Sequence, residues 1–191
     1  MKLKKLVISA FGPYAQTQEL DFEYHLGDRS MFVISGNTGA GKTTIFDAVN
    51  FALFGNASGS ERDGKSLRSD FASPDTDTWV ELDFSLREKE YHIRRSPQYE
   101  RPKKRGEGTT KTSASAELRL ITDERIVTGY SDVTSEVEKI LGINSGQFKQ
   151  LVMIPQGEFK RLLSADSGEK EMIFRKIFGT EAFSQIQKNI V

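Results

Sequence analysis

The residues best equipped for chemistry are Gly36-Asn37-Thr38-Gly39-Ala40-Gly41-Lys42-Thr43-Thr44. A glycine, four residues and then Gly-Lys-Thr is the spacing of a phosphate-holding loop. A triphosphate is held by successive backbone N–H groups aimed into one concavity, and glycine turns the chain that tightly at no steric cost. A helix starting at Thr43 would add the positive end of its dipole. Lys42 is the point charge for the β- and γ-phosphates and the loop's catalytic candidate. The Thr43 hydroxyl suits Mg²⁺, a hard cation that takes oxygen ligands. ATP and Mg²⁺ are the cofactors this chemistry calls for.

The flanks agree with that reading. Met31-Phe32-Val33-Ile34-Ser35 is a short apolar run of the kind a buried strand gives. After Lys42, the apolar residues Ile45, Phe46, Val49, Ala52 and Leu53 recur at helical spacing, and Gly55 reads as the C-terminal cap. The competing reading is a glycine-rich turn with no ligand, which leaves Lys-Thr at the helix start without a folding purpose.

Other elements must carry this unit. Leu3–Ala10 reads as a first strand, Phe11-Gly12-Pro13-Tyr14 as a turn, and Gln16–Phe22 as the hairpin partner. Residues 56–77 read as a long polar surface segment. Trp79–Leu86 alternates apolar and polar residues, Tyr91–Arg95 looks like the returning strand, and Ser115–Thr122 alternates again before Ile126-Val127. Antiparallel pairs therefore surround a phosphate-loop unit whose own sheet is expected to be partly parallel. Val133, Val137 and Ile140 share a helix face that ends at Gly142. Further helices are expected from Glu158, Asp166 and Thr180, with the pattern still running at Val191 as though cut.

Composition sets limits. At 191 residues with thirteen Phe, the chain can bury about 70% of its unfolded surface. Acidic and basic side chains balance at 27 each, so any nucleic-acid face must be local. With no cysteine, disulfides and thiolate chemistry are excluded, and two histidines, His25 and His92, are too few for a histidine metal site. No apolar run approaches the ~18 residues of a membrane span, so the expected compartment is the cytoplasm.

An ATPase of this loop type also needs an acid at the end of a second buried strand. The nearest candidate, Leu118–Glu124, has Arg119 and Thr122 interrupting its apolar run, and Asp123-Glu124 reads better as a turn between antiparallel strands. One half of a nucleotide site is thus well formed and the other half is missing. Four stretches turn that into a specific likeness: Ala10–Tyr14, the loop with Phe46-Asp47-Ala48, Lys65–Phe71, and Phe148-Lys149-Gln150 with Val152–Phe159 (VMIPQGEF). On these residues the chain resembles the N-terminal lobe of the SbcC family of SMC-like ATPase heads.

The resemblance implies an α/β P-loop NTPase of the ABC-ATPase/SMC-head type, an N-terminal lobe with a mixed and antiparallel sheet plus helices. The lobe would occupy 1–182 (P-loop 36–44, Q-loop 155–158), with 183–191 the start of a coiled-coil helix. It implies that Gln156 completes the Mg²⁺ shell and orients the attacking water. It also implies that Arg68 lies near nucleotide and DNA. The implied partners are the C-terminal lobe of the same protein, a second SbcC head, an SbcD-type nuclease subunit and double-stranded DNA. Independently of that likeness, Arg94, Arg95, Arg101, Lys103, Lys104 and Arg105 lie on or beside an expected hairpin tip and could follow phosphates, with Tyr99 available for stacking; a solvated tip is the alternative. The expected function is an ATP-driven clamp that controls a nuclease at DNA ends, with this stretch alone nearly inactive. The rivals are another SMC-family head, a self-contained P-loop kinase using Asp123 or Glu124 for Mg²⁺, and a DNA-binding module that keeps the loop without using it.

Overall fold

The computed structural model describes residues 1–27, 29, 31–56, 67–102, 107–152 and 166. The chain divides into two compact units, Met1–Ile140 and Leu141–Val191.

The first unit is built on a six-stranded sheet. Its strands are β1 (Lys2–Ser9), β2 (Gln18–Asp21), β3 (Trp79–Leu86), β4 (Lys89–Ser96), β7 (Ser115–Leu120) and β8 (Arg125–Thr128). They run in the order β2-β1-β3-β4-β7-β8, and every pairing is antiparallel. A separate hairpin joins β5 (Tyr99–Pro102) to β6 (Thr109–Thr112). The alternation in the sequence is the cause of the layering. Leu6 and Ile8, Val80, Leu82 and Phe84, Tyr91 and Ile93, and Ala116, Leu118 and Leu120 are all buried. The helix after the glycine loop, α2 (Lys42–Phe54), packs on β3 and β4. It is buried from Thr44 to Phe54 except at Phe46, and its Phe51 ring meets Phe11 with centroids 5.5 Å apart.

Many of the opposite sheet positions are charged, and several of them face a group of opposite sign. Register sets Lys5 beside Asp21 and Asp83, Asp83 beside His92, and Arg94 beside both Glu81 and Glu117. Opposite charges directly across strands stabilise a sheet by about 0.2–1 kcal/mol per pair. A short helix α1 (Phe22–Leu26), capped by the Asp21 side chain, follows β2 and takes Phe22, the last residue of the expected Gln16–Phe22 strand. Asp123-Glu124 does form the β7–β8 turn, with Glu124 at φ 50° and Asp123 paired to Lys89 at 2.8 Å. Helix α3 (Tyr130–Leu141) buries Val133 and Val137 as its spacing predicts.

One expectation is overturned. Residues 31–35 are not a strand, and Met31 and Val33 are 86% and 90% exposed. A strand needs a hydrogen-bonding neighbour. Both sides of β1 are taken by β2 and β3, and nothing else among the described residues pairs with this stretch. The partly parallel sheet is therefore absent from the described residues.

In the second unit, α4 (Ser145–Val152) opens on a reciprocal cap. Gln147 N–H donates to Asn144 Oδ1 and Asn144 N–H to Gln147 Oε1, both at 3.0 Å. Gln156 and the whole 155–158 loop, Lys65, Lys103, Lys104, Arg105, the later helices and 183–191 lie outside the described residues.

Candidate functional site

The site is assembled from the turn after β1, the glycine loop and α2. Leaving β1, Ala10 takes φ 47° and its carbonyl accepts from Ser69 N–H at 2.8 Å and Thr78 Oγ1 at 3.2 Å. Tyr14 N–H closes the turn onto Phe11 O at 3.0 Å, and Gly12 N–H donates to Leu67 O at 2.9 Å. This turn backs the loop at very short range. A Cβ on Gly12 would stand 2.8 Å from Thr44 Cγ2, and one on Gly41 would stand 2.8 Å from both Pro13 Cγ and Tyr14 Oη. Both glycines have positive φ, 57° and 84°, so backbone conformation and space both require glycine there.

In the loop, the Lys42 ammonium donates to Gly36 O and Asn37 O, each at 2.8 Å. Lys42 thus lies across its own loop, on carbonyls that a phosphate oxygen would compete with for its protons. Asn37, Thr38, Gly39 and Thr43 are exposed, so a ligand can approach their backbone N–H groups and the Thr43 hydroxyl, whereas the Ala40 N–H donates to Asn37 O at 3.2 Å and Thr44 is buried against the Gly12 turn. The loop residues fit a triphosphate and Mg²⁺: Gly36–Thr44 would supply backbone donors, Lys42 the charge and Thr43 a metal ligand. Among the described residues no group of three or more His, Asp or Glu is arranged to hold a metal by itself.

The other end of α2 is anchored as firmly. Gly55 caps it at φ 76°, donating to Phe51 O at 2.8 Å, and Tyr130 Oη donates to Gly55 O at 2.7 Å. Arg95, fully buried, donates to Ala52 O (2.7 Å), Leu53 O (3.1 Å), Tyr130 O (3.2 Å) and Thr134 Oγ1 (3.0 Å). Two of its acceptors are terminal carbonyls that a helix leaves unbonded, at the negative end of the dipole. Burial pulls the guanidinium pKa down to about 10, opposed by the neighbouring Tyr130. Sequence reading missed this anchor. The signal was present, because in Tyr91-His92-Ile93-Arg94-Arg95 the alternation assigns Arg95 to the inner face.

The sequence pattern of the family described as "AAA domain" matches residues 5–190. The chain belongs to this family. It is 44% identical, over 98% of its length, to the Vibrio cholerae protein named as the SbcC component of nuclease SbcCD. It is 38% identical to the Lactococcus lactis protein of the same name over 100%, and 39% to that of Staphylococcus aureus over 98%. The chain spans about a fifth of these relatives, 19%, 18% and 18% of their respective lengths.

In this AAA domain several basic residues expected to meet DNA are otherwise engaged. Arg95 is the correction of principle, since a fully buried side chain at the end of α2 has no access to a phosphate backbone. Tyr99 is also unavailable for stacking: it is 1% exposed, with its hydroxyl accepting from Thr78 N–H at 3.2 Å. Arg101 pairs with Asp77 at 2.6 Å. Arg94 lies 4.3 Å over the Trp79 ring and pairs with Glu81, but its side chain stays half exposed. Arg68 donates to Thr76 O (2.7 Å), Thr78 Oγ1 (2.8 Å) and Ser73 O (2.8 Å) and sits 5.0 Å over Tyr99. Those bonds tie down the 69–78 loop, and Arg68 would have to release them to reach a nucleotide. His92 is a half-buried strand residue, its Nδ1 2.6 Å from Asp83 Oδ1, and that bond raises its pKa. Among the described residues no helix is long and apolar enough to cross a membrane.

Proposed function

We propose that this AAA domain is the ATP- and Mg²⁺-binding N-terminal lobe of an SMC-like ATPase head. The head dimerises on ATP and controls a partner nuclease acting on double-stranded DNA ends in cytoplasmic DNA repair. The observation that carries the reading is the Gly36–Thr44 loop, opening a buried helix with Lys42 across it, in a chain 44% identical to a protein named as part of a nuclease. The exposed Met31, Phe32 and Val33 support a missing half. An apolar stretch beside the loop, without a strand neighbour among the described residues, suits a sheet completed by the C-terminal lobe of the same protein. Gln156 would join Thr43 at Mg²⁺, and ATP would bridge this lobe to a second SbcC head. An SbcD-type partner would supply the nuclease. DNA contact would rest on Lys103, Lys104 and Arg105, since Arg95 and Arg101 are occupied. The kinase alternative is weakened because, of its two possible Mg²⁺ carboxylates, Asp123 is held by Lys89 and Glu124 sits beside it in the same β7–β8 turn.

The test is Lys42→Ala in the full-length protein, with Mg·ATP binding and ATP-dependent dimerisation measured together. Both are expected to be lost. Unchanged binding and dimerisation would favour a DNA-binding module that keeps the loop without using it.

A further inference from the structure

The turn Phe11–Tyr14 touches the phosphate loop through a single hydrogen bond whose direction matters. Tyr14 Oη donates to Gly41 O at 3.1 Å. That carbonyl belongs to the same peptide unit as the Lys42 N–H. In a planar trans peptide the C=O and N–H point in opposite directions. A donor that holds the Gly41 carbonyl toward Tyr14 therefore aims the Lys42 N–H away from Tyr14, off the first turn of α2.

We propose that Tyr14 is a positioning residue of the phosphate loop, its hydroxyl fixing the Gly41–Lys42 peptide so that the Lys42 N–H faces the bound phosphate chain. This rests on the reading of Gly36–Thr44 as an ATP site. Four further observations support it. The Tyr14 ring fills the space a side chain at position 41 would need, since a Cβ there would lie 2.9 Å from Tyr14 Cζ. Gly41 takes φ 84°, so its peptide has orientational freedom that a residue with a Cβ would lack, and an external contact is what selects one orientation. The turn itself is braced, through Tyr14 N–H to Phe11 O and Gly12 N–H to Leu67 O. Burial pushes the phenol pKa up, which keeps it protonated and donating across the physiological range.

The experiment is Y14F in the full-length protein, which removes one oxygen and keeps the ring against Gly41. Mg·ATP affinity, the steady-state constants and the melting temperature are measured for wild type, Y14F and Lys42→Ala. The expected result for Y14F is a Kd and KM for Mg·ATP raised about two- to tenfold, as for loss of one neutral hydrogen bond. kcat should stay near wild type, because an orientation used equally in ground and transition states changes KM alone, while the melting temperature should fall slightly, since the Tyr14–Gly41 bond is also made without nucleotide. A role in folding alone would lower the melting temperature and leave KM in place, and that outcome overturns the proposal. Equal Mg·ATP affinity in Y14F and wild type, with Lys42→Ala defective, overturns it while leaving the ATP-site reading intact. A wild type that does not bind Mg·ATP removes both.

Discussion

Replacing Arg95 with alanine tests whether the α2 anchor carries the stability its geometry implies. The substitution deletes four hydrogen bonds, two of them to the terminal carbonyls of α2. Hydrogen bonds to a charged donor contribute about 1.5–3 kcal/mol each. Taking the low figure, their loss costs about 6 kcal/mol. Against that stands the desolvation of the guanidinium. Burial pulls its pKa down to about 10 even with Tyr130 opposing, which puts that cost at a few kcal/mol, on the order of 1.36 kcal/mol per pH unit, and alanine recovers it. The cavity and the carbonyls left buried push the balance back up. The expected net loss is about 3–5 kcal/mol, the range seen when one partner of a buried charged cluster is removed. Arg95→Lys should fall between wild type and alanine, since one ammonium cannot span the four acceptors. The assay is urea denaturation followed by the emission of Trp79, the single tryptophan, which lies under Arg94 next to Arg95 on β4. A loss below about 1 kcal/mol for Arg95→Ala would refute the reasoning, because it would mean the buried guanidinium repays nothing beyond its own desolvation.

Two further outcomes follow from surface chemistry. His92 has its pKa raised above 6.5 first by the bond to Asp83, so the pair stabilises the fold fully below about pH 6.5, and the benefit is lost as pH rises through the folded-state value. Asp83→Asn should therefore lose more stability at pH 5.5 than at pH 9, where only the cross-strand attraction to Lys5 is still lost, the His92-dependent part being no more than about 1 kcal/mol for a partly exposed pair; an equal deficit at both pH values would contradict this. Replacing Lys103, Lys104 and Arg105 with Glu should weaken DNA binding by the assembled head and flatten its log–log salt dependence by about 3, with unchanged affinity and slope removing that loop from the DNA path.

What could be read from the sequence was whatever depends on local pattern. Strand β3 was legible because Val80, Leu82 and Phe84 alternate with polar residues, and Asp123-Glu124 was legible as a turn because Arg119 ruled out a strand buried on both faces. The glycine loop and the start of α2 follow from residue types whose conformations are narrow. What failed depended on tertiary context. The 31–35 run has strand composition, but composition supplies no hydrogen-bonding neighbour. Arg95 and Tyr99 were counted as surface because their residue types usually are. Their burial is compensated by long-range partners, Ala52 O and Tyr130 O for one and Thr78 N–H for the other, which spacing along the chain does not reveal. Tyr14 was noted only as part of a turn, since its contact with Gly41 spans 27 positions.

The central claim is that this polypeptide holds ATP but needs further protein to hydrolyse it. The most direct measurement is Mg·ATP binding and ATP turnover by the 191-residue chain alone, with Lys42→Ala as the control. The account predicts binding that the variant loses, together with turnover far below the ~1 s⁻¹ at the slow end of ordinary enzymes. Lys42-dependent turnover at about 1–10 s⁻¹ by the chain alone would contradict it.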